Sequence, residues 1–230
     1  IAQKKCVPMI VVMPNGIANM AAAPGENPYS YAKAKSTNVE SMLGKIESAF
    51  VPDIVSYVES HYRVKATKPS RAIAGLSLGG LHTLFISANN PNYFDYVGLF
   101  SAQTTNALND KKIGRAEKIA QGVENLASVF PFLSKGKIGE TISSYTDGIS
   151  SGDLSIYNNL DEKLKKQFKT PPQLYYIAVG KDDFVKKLND DFRLKLKDKG
   201  YKYYYHETDG GHSWENWRKY LVDFLPRLFK

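Results

Sequence analysis

The stretch Gly75-Leu76-Ser77-Leu78-Gly79-Gly80 constrains this chain more than any other. Arg71-Ala72-Ile73-Ala74 before it is a short apolar run of strand length, and Leu81, Leu84, Phe85 and Ala88 after it recur at helical spacing. A G-x-S-x-G sequence between strand and helix makes a tight, strained turn that carries a serine nucleophile. Gly75 and Gly79, flanking Ser77, remove the Cβ atoms that would clash as strand and helix approach. The backbone N–H of Leu78 opens the helix and is the candidate donor to a developing oxyanion.

Other segments fit the same architecture. Val7 to Met13 is a nearly unbroken apolar run ended by Pro14-Asn15-Gly16, the composition of a strand buried on both faces of a parallel sheet. Residues 17–36 are small, polar and proline-bearing, and so predict a loop, which carries Tyr29 and Tyr31. Thr37-Asn38-Val39-Glu40 resembles a capping box. Ile46, Phe50, Ile54 and Val58 then keep one apolar stripe, in a helix that Pro52 must kink or divide. Val97-Gly98-Leu99-Phe100, Leu174 to Val179 and Tyr203 to Glu207 predict three more strands. The spacing of Val185, Leu188, Phe192 and Leu196 predicts a helix closed by Gly200, and a terminal helix presents Trp214, Trp217, Leu221, Phe224 and Leu228 inward. Strands alternating with helices imply a mostly parallel α/β sheet flanked by helices. Residues 102–170 exceed an ordinary connection and read as an elaboration, lid-like, over the carboxyl edge of the sheet, with a helix near Leu160–Phe168.

At 230 residues and 43% hydrophobic, the chain suits one domain, 1–230, with a sizeable core. No apolar run approaches the roughly 20 residues of a membrane-spanning helix. The single cysteine, Cys6, excludes an internal disulfide, and nothing beside it points to a metal site. The net charge of +8 comes from lysines set singly among Asp and Glu on amphipathic helices such as Leu188–Lys199. That arrangement reads as a solvated face rather than a nucleic-acid groove.

Acyl transfer by serine needs a base to take the hydroxyl proton and an acid to hold that base. Ser77, then Asp182 or Asp183, then His212 follow in the order used by α/β-hydrolases, each just after an expected strand. Gly210-Gly211 gives the loop before His212 backbone freedom. His61 and His206 read as structural, and His82, one turn after Ser77, as packing. Neither metal nor cofactor is implied. Tyr29, Tyr31, Phe184 and Trp214 lie near the expected site edge and could stack on an aromatic acyl group, although Trp214 and Trp217 equally suit the core.

Ala72 to Gly80, Gly180-Lys181-Asp182-Asp183-Phe184 and Gly210-Gly211-His212-Ser213-Trp214-Glu215-Asn216-Trp217 together resemble the feruloyl esterase and acetylxylan esterase family, carbohydrate esterases of the α/β-hydrolase fold. Met9 to Gly16 and Tyr62-Arg63-Val64 extend the resemblance over most of the chain, with 102–170 the least similar part. It implies Ser77 as nucleophile, His212 as base and Asp183, three residues after Gly180, as the acid. It also implies a polysaccharide-linked ester of the plant cell wall as substrate, and a bacterial secreted or periplasmic location. The alternatives are an acetylxylan esterase or an acyltransferase of the same fold, or a glycan-binding protein without turnover. The family's His-Gly segment, whose loop supplies an oxyanion donor, is not found between residues 1 and 230. The expectation is therefore that the first strands are missing from this chain, and that a preceding segment or a second chain covers the Met9–Met13 run.

Overall fold

Four apolar runs pair into one parallel sheet in the order in which they occur along the chain. The computed structural model describes residues 4–14, 16, 44–104 and 154–230. The elements are α1 (Lys45–Ala49), a π-helical stretch (Phe50–Val55), α2 (Ser56–His61), β1 (Ala72–Leu76), α3 (Leu78–Asn89), β2 (Tyr96–Phe100), α4 (Leu160–Gln167), β3 (Leu174–Gly180), α5 (Lys186–Asp198), β4 (Tyr204–Thr208) and α6 (Trp214–Phe224). Short 3₁₀ turns occupy Lys68–Ser70, Leu154–Tyr157 and Leu225–Arg227. The proline at 52 divides its helix as expected, because a ring in place of an N–H cannot continue the ladder. The apolar stripe Ile46, Phe50, Ile54, Val58 is half-buried throughout.

Two compact units divide the chain: Ile1–Val12, Val51–Asn106 and Asn159–Lys230 form the larger, Met13–Phe50 and Ala107–Asn158 the smaller. Residues 159–170, counted with the elaboration in the sequence, thus fall in the larger unit. In the smaller unit Tyr157 donates its hydroxyl proton to the buried Glu47 carboxylate and accepts the Gly44 N–H at 2.8 Å. The expected capping box at Thr37–Glu40 lies outside the described residues.

In the larger unit the register runs Leu76 to Phe100 to Ala178 to His206. The central strands β2 and β3 are buried almost end to end, as a sheet covered on both faces requires. One face seats Tyr96, Phe100, Tyr176 and Ala178 against Trp217, Tyr220, Phe224 and Leu228. By the alternation of a strand, Val97, Leu99, Tyr175, Ile177 and Val179 point to the opposite face, and they are buried as well. Helix α3 packs on β1 and β2, and α5 on β3. The lysines of α5 and α6 pair with acids one turn away, as in Lys187–Asp191 at 2.9 Å and Lys219–Glu215 at 2.7 Å.

Two expectations are corrected. Val7–Met13 is not a sheet strand among the described residues: it forms no ladder, and Ile10, Val11, Val12 and Met13 are exposed, Met13 to 88%. Apolar composition signals a wish for burial but supplies no neighbouring strand, and of this run Met9 packs against the aromatic cluster. On α6 the inward stripe is Trp217, Tyr220 and Phe224, whereas Trp214 and Leu221 are 61% and 44% exposed. Cys6 is half-buried.

The close packing of α3 depends on two glycines, Gly75 where β1 meets the helix and Gly80 where the helix meets the segment after β2, and only the first flanks Ser77 in the motif. A Cβ on Gly75 would stand 2.0 Å from the Gly79 carbonyl oxygen, and one on Gly80 2.4 Å from the Ala102 Cβ, while one on Gly79 meets nothing within 4 Å. We therefore expect Gly75→Ala to lose at least about 2 kcal/mol in urea unfolding, since backbone must move to admit the methyl. Gly79→Ala, inside a helix with open space, should stay within about 1 kcal/mol of the parent or gain stability.

Candidate active site

Each residue of the expected trio leaves the carboxyl end of a different strand. Ser77 follows β1 and opens α3 with φ 52° and ψ −117°, a region that non-glycine residues seldom adopt. Its N–H donates to the Phe100 carbonyl of β2 at 2.9 Å. Its carbonyl accepts the N–H groups of Gly80 at 3.0 Å, Leu81 at 3.3 Å and Gln103 at 3.3 Å. The backbone is thus held on both sides, which is how strain of this kind persists. Leu78 is the first residue of α3, ahead of the first helical hydrogen bonds, so its N–H is one of the donors a helix start leaves unused.

After β3 the chain turns through Asp182 and Asp183 into α5. The Asp182 N–H donates to the Gly210 carbonyl at 3.1 Å, and the Lys181 N–H to the Thr208 carbonyl at 2.9 Å, tying this turn to the loop after β4. Contact is close: a Cβ on Gly180 would lie 2.1 Å from the Gly210 oxygen. Gly210 itself has φ +83°, the left-handed region that glycine enters without strain. The loop is then held by Asn216, buried in the first turn of α6, whose Nδ2 donates to the Gly211 carbonyl at 2.9 Å. Ser213 caps α6 by accepting the Asn216 N–H at 3.4 Å.

These constraints bring three side chains into one hydrogen-bonded line. His212 Nε2 lies 2.9 Å from Ser77 Oγ, and His212 Nδ1 lies 3.0 and 3.1 Å from the two Asp183 carboxylate oxygens. An ionised carboxylate only accepts, so Nδ1 carries the proton toward Asp183 and Nε2 is left to accept from the serine hydroxyl. All three are buried or nearly so. Between the adjacent acids, Asp183 makes the contact. Burial alone would push its carboxyl pKa up, but the hydrogen bonds from His212 and from the Val185 N–H at 3.0 Å, with the polar Ser101 hydroxyl nearby, outweigh it and hold the group below its ordinary value.

The aromatic candidates separate. Phe184 is half-exposed with its ring 4.5 Å from that of His212. Trp214 stands edge-on to Trp217 at 5.1 Å, and the buried Trp217 stands edge-on to His212 at 5.0 Å. Tyr29 and Tyr31 lie outside the described residues. His61 is exposed and stacks on Tyr57, His82 is buried in α3, and His206 lies in β4 with Nδ1 3.3 Å from the Asp223 carboxylate. Ser101, Asn216 and the Val185 N–H were not singled out in the sequence. Each acts through a turn whose direction no periodicity records. Among the described residues no cluster of three or more His, Cys, Asp or Glu side chains could hold a metal ion, and no helix is long and apolar enough to cross a membrane.

The Esterase family model matches residues 2–228. The chain belongs to the esterase family. It is 27% identical over 181 residues to an acetyl esterase of Caldicellulosiruptor saccharolyticus, covering 77% of this chain and 61% of that protein. It is 31% identical over 104 residues to an endo-1,4-beta-xylanase/feruloyl esterase of Xylanibacter ruminicola, covering 45% of this chain and 13% of that one. The chain thus spans less than two thirds of either relative. Among solved structures, the S-formylglutathione hydrolase of Staphylococcus aureus superposes with a TM-score of 0.60 at 18% identity, covering 94% of this chain and 69% of its own. That likeness gives the fold, an α/β-hydrolase with a parallel sheet flanked by helices.

The depressed Asp183 pKa fixes a sign. A carboxyl group whose pKa falls on folding stabilises the fold above its unfolded value, here about 3.8, and loses that contribution as pH drops through the lower folded value. Asp183→Asn should therefore be less stable than the parent at neutral pH, with a gap in Tm that closes on acidification below about pH 4.

Proposed function

We propose that the protein hydrolyses carboxylic esters on plant cell-wall hemicellulose side chains through an acyl-serine intermediate. The observation that carries the proposal is the line Ser77–His212–Asp183, with its hydrogen bonds of 2.9 Å and 3.0 Å. Ser77 Oγ attacks the acyl carbon while His212 Nε2 takes its proton, and the ester carbonyl oxygen becomes an oxyanion that accepts the Leu78 N–H. As the intermediate collapses, the bond to the leaving alcohol breaks and His212 returns the proton to that oxygen. A water then gives a proton to His212 and attacks the acyl carbon, releasing the free acid and restoring the Ser77 hydroxyl. Asp183 holds the ring in this tautomer and offsets the imidazolium charge.

The feruloyl ester is supported by the relative that carries both xylanase and feruloyl esterase in its name, and by two exposed rings, Phe184 beside His212 and Trp214 beside Trp217. Such faces suit stacking on an aromatic acyl ring, a role we extend to Tyr29 and Tyr31. The acetyl ester is the second reading, favoured by the acetyl esterase match over 77% of the chain. Either substrate belongs outside the cytoplasm, which is where we place the protein, secreted or periplasmic.

The rate ratio on methyl ferulate and acetylated xylan separates the two esters. Ser77→Ala should lower hydrolysis of a chromogenic short-chain ester by at least about 10³-fold. A fluorophosphonate probe should label the parent at Ser77 and leave the variant unlabelled. Unchanged hydrolysis by the variant ends the proposal, as does saturable binding of xylan oligosaccharides with neither turnover nor labelling.

A further inference from the structure

Ser101 stands to β2 as Ser77 stands to β1. The ladder bond continues one residue past each strand: the Ser77 N–H donates to the Phe100 carbonyl at 2.9 Å and the Ser101 N–H to the Ala178 carbonyl at 2.7 Å. Ser101 has φ +44°, and with Ser77 it is one of the two serines with positive φ among the described residues. It is fully buried, and its Oγ makes no hydrogen bond of regular geometry. A strained residue whose buried hydroxyl is left uncommitted is costly on both counts, and such outliers gather at functional sites.

The groups beside that hydroxyl are the Asp183 carboxylate and the Tyr220 hydroxyl. Asp183 Oδ1 receives both the Val185 N–H and the His212 ring, whereas Oδ2 receives the ring alone of these two, at 3.1 Å. An ionised carboxylate has roughly four lone-pair positions, so Oδ2 has room for another donor. Tyr220, buried on α6, shares a hydrogen bond of 3.1 Å with Thr208 Oγ1 at the end of β4. The titratable groups acting on Asp183 are thus His212 from the loop before α6 and Tyr220 from α6 itself.

We propose that Ser101 is a positioning residue for the triad acid, its hydroxyl turned to donate to the Asp183 carboxylate while accepting the Tyr220 proton. Thr208, Tyr220, Ser101 and Asp183 then form one directed chain of donors. Each of the four strand ends contributes to the array: Ser77, Ser101, Asp183 and, beyond β4, His212. The proposal rests on the Ser77–His212–Asp183 reading and adds to it the support that keeps Asp183 ionised and aimed.

The test compares the full chain with Ser101→Ala, Ser101→Gly and Tyr220→Phe. Ser101→Gly removes the hydroxyl and also relieves the positive φ, so it remains informative if Ser101→Ala does not fold. We expect both Ser101 variants to lower kcat about tenfold with KM unchanged. The acid-side fall of activity should move to higher pH. In protein labelled with ¹³C-aspartate, the NMR titration of the Asp183 carboxyl should move upward, and Tyr220→Phe should move it in the same direction by less. A Ser101→Gly protein with the parent's kcat, pH profile and Asp183 titration overturns the proposal. Loss of activity without movement of the Asp183 titration also overturns it, since that marks a purely structural serine. The titration needs no turnover, so it decides the role of Ser101 even if Ser77→Ala leaves hydrolysis intact and the triad reading falls.

Discussion

The register of the parallel sheet is the constraint on which the rest of this molecule depends. Leu76, Phe100, Ala178 and His206 lie in one row, and the row sets where each strand stops and its following loop begins. Carbonyls of β2 and β3 receive the N–H groups of Ser77 and Ser101, so the residues after a strand are still held by the neighbouring strand. Side chains on a strand alternate, and a slip of one residue would carry Ser77 to the other face of the sheet. The buried aromatic cluster of Tyr96, Phe100, Tyr176 and Phe224 makes such a slip expensive, because it would expose rings that pack edge to face across β2, β3 and α6. Packing far from the serine therefore fixes the serine.

Much of this was legible in the residues. The strands β2 and β3 are covered on both faces, so their apolar runs stand out without alternation, and the chain order of Ser77, the acid and His212 narrows the chemistry. What the residues could not tell was direction. Asp182 and Asp183 are equivalent as letters, and the choice between them is made by a turn in which the Asp182 N–H is committed to Gly210. Val7–Met13 has the composition of a buried strand, but pairing belongs to two segments and composition to one. Trp214 has the helical phase of Trp217 yet sits at the first turn of α6, where phase does not ensure burial. Ser101 offers no pattern at all. A lone serine after a strand becomes noticeable only when its φ and its buried hydroxyl can be seen.

The loops after β3 and β4 brace each other more than either braces itself. Gly180 against Gly210, Lys181 with Thr208, and Asp182 with Gly210 are all contacts between the two turns, made backbone to backbone. Asn216 adds a side chain to the same purpose at Gly211. Asp183 and His212 are therefore set at their separation by main-chain geometry before their side chains meet, so the hydrogen bond between them costs little additional ordering.

The chain contains two tryptophans, and Trp217 touches the imidazole of His212 while Trp214 touches Trp217. All indole emission from this protein consequently arises within one corner of the fold, beside the histidine. An optical signal ordinarily used to follow a whole molecule is here a local gauge. It reports the loop after β4 and the start of α6, while circular dichroism reports the helices and the sheet as a whole. Where the two traces part on heating or in denaturant, the corner that holds the histidine has come loose before the sheet.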